Sequence, residues 1–220
     1  MRLGAAEVRF TTTSDGDFSP PDATDDAALN ARRRSVSGAT WTWLRQQHGR
    51  EVVSVDTPGA HAGANADAAV AFVANAPVAV VTADCAPIVC VADDGSAVSV
   101  IHAGWRGLLD GVVEAAVALM RERGAEGISA ALGPCIHAEC YEFSEADLTS
   151  IVARFGAVVR GTTNQGTTAL DVPAAVRAAL AQLDVALVHD EDACTSCTPG
   201  YWSHRARGDK QRQATVAWLA

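Results

Sequence analysis

The chain has 220 residues, of which 49% are hydrophobic, and a formal net charge of −9. That length fits one large domain or two small ones with enough apolar residues for a sizeable core, and the acidic balance argues against a surface built to neutralise nucleic-acid phosphates. No run approaches the ~18 apolar residues of a membrane span, and no apolar segment with a small-residue cleavage site follows Met1-Arg2. A cytoplasmic protein with neither nucleic acid nor membrane as partner is expected.

Val8–Thr12 reads as an opening strand. Residues 14–26 carry Asp15, Asp17, Asp22, Asp25 and Asp26 with Pro20-Pro21 and almost nothing apolar, which is the composition of a loop. Arg32, Arg33 and Arg34 follow on a short helix from Asp26 to about Ser35, either as a solvated face or as an anion-binding group. Trp41–Gln46 and Val52–Asp56 read as strands with His48-Gly49 at the corner between them. After a Gly/Ala-rich loop from Pro58 to Asn65, Asp67–Ala74 and Val78–Thr82 are nearly all apolar, as strands buried on both faces are.

Thr82 to Gly107 is the most informative stretch. Pro87–Ala92 and Ala97–Ile101 flank Asp93-Asp94-Gly95, a hairpin signal. A turn centred on Asp93-Asp94 sets Cys85 opposite His102; one centred on Asp94-Gly95 moves the partner by two and keeps both side chains on one face. Directly opposed residues hold Cβ atoms about 4.5–5.5 Å apart, close enough to share a metal ion. Leu109, Val112, Val113, Ala116, Val117 and Met120 then mark an amphipathic helix closed by Gly124. Ile128–Leu132 is a strand, Ser144–Phe155 a helix and Gly161–Thr168 a polar loop. Asp171 caps a helix through Leu183, with Pro173 in its first turn. Strands Val185–His189 and Thr215–Leu219 close the chain, and the fold class is α/β or α+β, a mixed sheet structure covered by helices.

Six cysteines in a chain of this length are too few for a disulfide scaffold. They fall in close pairs, Cys85/Cys90, Cys135/Cys140 and Cys194/Cys197, so a structural four-cysteine zinc site competes with a catalytic role; only Cys194 and Cys197 have knuckle-like spacing. Cys90 reads as a small buried hydrophobe. His48, Cys85 and His102 stand at strand ends in apolar surroundings, and one thiolate with two imidazoles and an open position is a catalytic zinc arrangement. The same residues allow a thiol hydrolase, with His102 as base for Cys85 and backbone N–H groups of the Gly104–Gly107 turn stabilising an oxyanion. A copper oxidase also needs two histidines and a cysteine. The available axial methionines are only Met1 and Met120, and no His-x-His pair occurs.

The blocks QQHG at Gln46–Gly49, ADA at Ala66–Ala68, TADCAPI at Thr82–Ile88, HAGWRG at His102–Gly107, GPCI at Gly133–Ile136, CYEF at Cys140–Phe143 and DVPAAVRAAL at Asp171–Leu180, with the closing segment Trp202–Leu219, resemble the bacterial laccase-domain family of the YfiH type, long named multicopper polyphenol oxidoreductase. The resemblance spans roughly residues 8 to 219, one laccase-like domain over the chain. It implies a four-layer α/β/β/α sheet sandwich similar to the catalytic domain of cytotoxic necrotizing factor. It also implies zinc, with copper as the alternative metal, on the residues matching His48, Cys85 and His102. The implied activity is phosphorolysis of adenosine, inosine, guanosine and methylthioadenosine, some members also deaminating adenosine. The implied partners are therefore a purine nucleoside and phosphate, for a monomer or homodimer. Arg33, or Arg32 in the neighbouring register, matches an asparagine-arginine motif expected to hold phosphate or substrate, and Asp84 and Asp67 are candidate acid/base or hydrogen-bonding groups. The family's TTR-x-GG segment reads Thr11-Thr-Thr-Ser-Asp-Gly16 here, without its basic residue. The closing double arginine and aspartate become Arg205, Ala206 and Arg207.

Overall fold

The computed structural model describes residues 1–20 and 26–220. Asp22 and Asp25 of the expected acidic loop lie outside the described residues. The rest of that loop is tied down: the Asp17 carboxylate accepts hydrogen bonds from Ser19 N–H and from Arg212 N–H, 195 positions away.

Strands β1 (Arg2–Leu3) and β2 (Ala6–Phe10) open the chain, and α1 (Ala27–Ser37) follows, N-capped by the Asp26 carboxylate and closed by Gly38 in the left-handed conformation. Next come β3 (Thr42–Arg45), β4 (Val52–Val55), β5 (Ala64–Asn65), β6 (Ala68–Ala71), β7 (Val78–Thr82), β8 (Ala86–Ala92) and β9 (Val98–Ala103). Helices α2 (Trp105–Asp110) and α3 (Val112–Glu122) lead to β10 (Ile128–Leu132) and α4 (Glu145–Phe155). The chain ends with β11 (Arg160–Thr162), β12 (Thr168–Leu170), α5 (Val172–Gln182), β13 (Ala186–Asp190), α6 (His204–Arg207) and β14 (Gln213–Leu219).

Two six-stranded mixed sheets carry the fold, one ordered β1-β2-β14-β7-β3-β5 and the other β13-β10-β8-β9-β6-β4. Alternation along the strands divides the apolar residues among three cores. Val8, Val78, Val80, Val89, Val91 and Val100 meet between the sheets. Ile88, Ile101, Val113, Met120, Leu148 and Val176 pack the second sheet against the helices that follow it. Phe18, Leu29, Trp41 and Val216 join the first sheet to α1. The layering is therefore α/β/β/α. Both faces of β8 and β9 are covered, so all thirteen of their residues are buried, as the continuous apolar runs require.

Three elements differ from the sequence reading. The helix expected around Leu109 to Gly124 begins at Trp105 and breaks at Gly111, whose φ of 87° separates α2 from α3. The polar segment 161–168 contributes strands β11 and β12, paired with Arg160 opposite Leu170. In the β8–β9 hairpin, Gly95 N–H closes a turn on Ala92 C=O, and the extra residue Ser96 places Ala92 against Ala97. His102 therefore pairs with Pro87 and not with Cys85, which is the register displaced by two. Among the described residues no helix is long and apolar enough to cross a membrane.

Candidate metal centre

Among the segments that cross between the sheets at one end of the sandwich are 46–51, from β3 to β4, and 83–85, from β7 to β8. His48 sits in the first crossing and Cys85 in the second, while His102 ends β9 beside them. Gln46 holds the first crossing in place. Its side-chain amide donates to Val81 C=O and accepts from Val81 N–H, at 2.8 and 2.9 Å, so it extends the β3–β7 pairing with side-chain atoms.

Asp67 organises the rest. It is fully buried just before β6, and its carboxylate accepts from the backbone N–H groups of Gln47, His48 and Gly49 and from His102 Nδ1 at 2.8 Å. The turn this carboxylate gathers leaves His48 at φ 58°, a conformation uncommon for a residue with a Cβ. Burial alone would raise the Asp67 carboxyl, but the hydrogen bonds from His102, Gly49 and Gln47 outweigh it and hold it below the usual carboxylate range. With Nδ1 committed to Asp67, His102 turns Nε2 toward Cys85, the pattern by which a carboxylate fixes the tautomer of a metal-ligating histidine.

One ligating atom from each of His48, Cys85 and His102 lies within 4.8 Å of the others. Cys85 Sγ and His48 Nε2 are 3.7 Å apart, and the two imidazoles meet edge-on with ring centroids separated by 4.7 Å. Burial pushes the Cys85 thiol up, but the charge and hydrogen bond of His102, then those of His48, bring it down to about 6. The reciprocal effect of Cys85, together with Asp67, raises His102 to about 9 against the effect of burial. A thiolate and two imidazoles converging at this spacing, one oriented by a buried carboxylate, fit a metal ion.

Gly104 faces the cluster because nothing larger fits. A Cβ there would lie 2.8 Å from His48 Cδ2 and 3.3 Å from Cys85 Sγ. Asp84, expected as an acid/base candidate, is nearly buried at φ 96° with both oxygens engaged, one by Thr195 Oγ1 at 2.7 Å and the other by Arg205 N–H at 2.6 Å. It anchors two loops to the residue before Cys85. Cys90 is fully buried within β8, and burial pushes its thiol up to about 12.

A cavity of about 460 Å³ opens onto His48, Cys85 and His102. Trp105, Tyr141, Arg106, Arg205 and Arg212 line its walls. Arg205 lies over the Tyr141 ring and Arg106 over Trp105, each 4.5 Å from the centroid. Arg205 also donates to Glu142 C=O, and Arg212 to the carbonyls of Asp209, Lys210 and Gln211. Arg106 is exposed. Burial, followed by the negative charge of Cys85, pushes the Tyr141 hydroxyl up to about 12, so it remains a donor.

Arg32 and Arg33 do not line this cavity. Arg32 donates to Asp17 C=O, while Arg33 is buried 4.6 Å above the Trp43 ring beside a separate space of about 240 Å³. Sequence reasoning passed over Trp105, Arg106, Tyr141 and Arg212. Only the HAGWRG and CYEF blocks marked the neighbourhood of the first three.

Residues 11–220 match the model of the family described as multi-copper polyphenol oxidoreductase laccase. The chain belongs to that family. Relatives of the chain include a purine nucleoside phosphorylase of Xylella fastidiosa strain Temecula1, 39% identical over 80% of this chain and 71% of its own length. Another purine nucleoside phosphorylase, from Streptomyces coelicolor, is 35% identical over 91% of this chain and 84% of its own. Among solved structures, Neisseria meningitidis protein NMB0706 superposes with a TM-score of 0.83 at 28% identity, covering 99% of this chain and 95% of that one. Bacillus licheniformis YfiH gives a TM-score of 0.83 at 22% identity over 98% and 93%, a likeness of fold. The chain thus matches the laccase family model and is similar to proteins named purine nucleoside phosphorylase.

Proposed function

We propose that this chain is a zinc-dependent purine nucleoside phosphorylase acting on adenosine, inosine, guanosine or methylthioadenosine, with adenosine deamination as a second reaction of the same cavity. The observation that carries this reading is the placement of the His48/Cys85/His102 cluster at the wall of a cavity with both arginines and aromatic rings. Its volume of about 460 Å³ falls within the usual range for small-molecule sites, roughly 300–1,000 Å³. Purine rings stack on aromatic faces, and guanidinium groups bind phosphate oxygens.

In phosphorolysis a phosphate oxygen forms a bond to C1′ of the ribose as the C1′–N9 bond breaks, and the purine leaves with the electron pair and gains a proton. Arg106, free of the carbonyl contacts that occupy Arg205 and Arg212, is assigned to phosphate, with those two as the flanking positive wall. Trp105 and Tyr141 hold the base. Asp67 keeps Nδ1 of His102 protonated and its Nε2 on the cavity side. Zinc bound by His48, Cys85 and His102 would supply Lewis acidity toward an oxygen atom, including that of water for deamination. Zinc is preferred to copper because Met120, a candidate axial ligand, is fully buried in the helical layer.

The test is chromatography of products from metal-analysed, copper-free protein incubated with adenosine and phosphate, beside Cys85→Ala. Free adenine and ribose phosphate, absent with the variant, support the reading, and inosine adds deamination. An active, metal-free Cys85→Ala protein sinks it.

A further inference from the structure

A second group of ligand-type side chains lies outside the site just described. Glu139, Cys140, Cys194 and Cys197 each offer one atom, and these atoms all lie within 4.8 Å of one another. Cys197 Sγ is 3.8 Å from Glu139 Oε1. The thiols are free, with Cys194 buried, Cys140 half-buried and Cys197 exposed.

The backbone around these residues has the form of a metal-binding turn. Cys194 and Cys197 are spaced as in a zinc knuckle, and Thr198 N–H closes the loop onto Cys194 C=O at 2.8 Å. The Cys194 sulfur receives the N–H of His137, 3.4 Å away, from the other loop. An N–H aimed at a sulfur supports the thiolate that a metal requires, here against burial, which pushes the Cys194 thiol up in the metal-free chain. The two loops are already zipped together: Cys135 and Cys194 form a β-bridge, Cys135 N–H donates to Ala193 C=O and Thr195 N–H donates to Cys135 C=O. The third thiol, Cys140, comes from across this seam.

We propose that Cys140, Cys194 and Cys197, with Glu139, form a second and structural zinc site that clips the 135–143 loop to the 193–198 loop. Three thiolates and a carboxylate select a zinc-class ion, and four protein donors close its coordination sphere. The clip bears on the cavity from outside. Thr195, between the two knuckle cysteines, donates to Asp84 next to Cys85, and Tyr141, beside Cys140, lines the cavity wall.

The test is metal stoichiometry in full-length protein purified reduced from zinc-supplemented cells, measured by elemental mass spectrometry, and it does not depend on any nucleoside activity. Wild type should carry two equivalents of zinc, Cys85→Ala one, Cys197→Ser one, and the double variant none. After cobalt exchange, sulfur-to-metal charge-transfer absorbance per ion should be about threefold stronger in Cys85→Ala than in Cys197→Ser, as three thiolates against one. Should Cys197→Ser fail to fold, alkylation mapping of wild type decides: bound zinc should protect Cys140, Cys194 and Cys197, and a chelator should expose all three. One equivalent in wild type that Cys85→Ala removes, or a disulfide seen as a two-proton mass loss among these cysteines, would overturn the proposal.

Discussion

Asp67 Oδ1 lies 2.8 Å from His102 Nδ1, and both side chains are shielded from solvent. The same carboxylate gathers three successive N–H groups of the turn that carries His48. One buried charge thus orients two of the three side chains of the candidate metal cluster. Asp67→Asn keeps the volume but places an NH₂ against one of those donors and removes the charge facing His102. Metal affinity should fall about 10–100-fold, the usual cost of losing such a partner. Competition with a chromophoric chelator measures it, and unchanged affinity would show that backbone packing alone sets the ligand geometry.

Gly104→Ala tests crowding with the charge left intact. Gly104 has φ −71° and ψ 160°, which alanine adopts freely, so the cost is steric. The new methyl would stand 2.8 Å from the His48 ring, and with the His48 backbone held by Asp67 that exposed ring would have to rotate away from Cys85 and His102. The variant should fold with near-native thermal stability yet lose about 100-fold in turnover from a misplacement of an ångström or less. Full activity would mean that the His48 ring has a second productive position.

These two residues also show what was legible beforehand. His48, Cys85 and His102 stood out because each interrupts or ends an apolar run, and the runs themselves reported the doubly covered strands β8 and β9. The resemblance named the same three. Gly104 carried no such signal, since its role depends on a hairpin register that Ser96 shifts by two. Asp67 read equally well as a turn anchor or an acid, because its three N–H partners come from a loop 18 to 20 positions away. Arg106 was hidden in a helix whose start was placed too late; the break at Gly111 is a backbone event that apolar periodicity does not register. Strands β11 and β12 are three residues each and form a sheet apart from the two main ones, so no alternation marked them.

The imidazoles around Cys85 make a prediction about metal-free protein. Its thiol, brought down to about 6, is protonated below that value and a thiolate above it. After chelation, the rate of carboxymethylation at Cys85 should rise through about pH 6 and be level at neutrality. Cys90, pushed up to about 12 by burial, should stay unmodified throughout. If the proposed zinc site is right, adding zinc should abolish the Cys85 reaction because the reactive lone pair is then engaged. A midpoint near that of an ordinary thiol, about 8.5, would show that the histidines do not act on it in the free protein.

The arginines divide by position, and kinetics can separate them. Arg106 is exposed at the cavity beside the metal cluster, whereas Arg33 is buried against Trp43 and borders a different space. Removing a charged hydrogen bond to phosphate costs about 1.5–3 kcal/mol, or roughly 10–150-fold in binding. Arg106→Ala should therefore raise KM for phosphate by about that factor while zinc content and KM for the nucleoside change little. Arg33→Ala should lower thermal stability, since it removes a stacked side chain from a buried position, and leave KM for phosphate as it was. The reverse pattern would move the phosphate site from the Arg106 wall to the α1 side of the first sheet, in line with the asparagine-arginine motif expected at Arg33, or Arg32 in the neighbouring register.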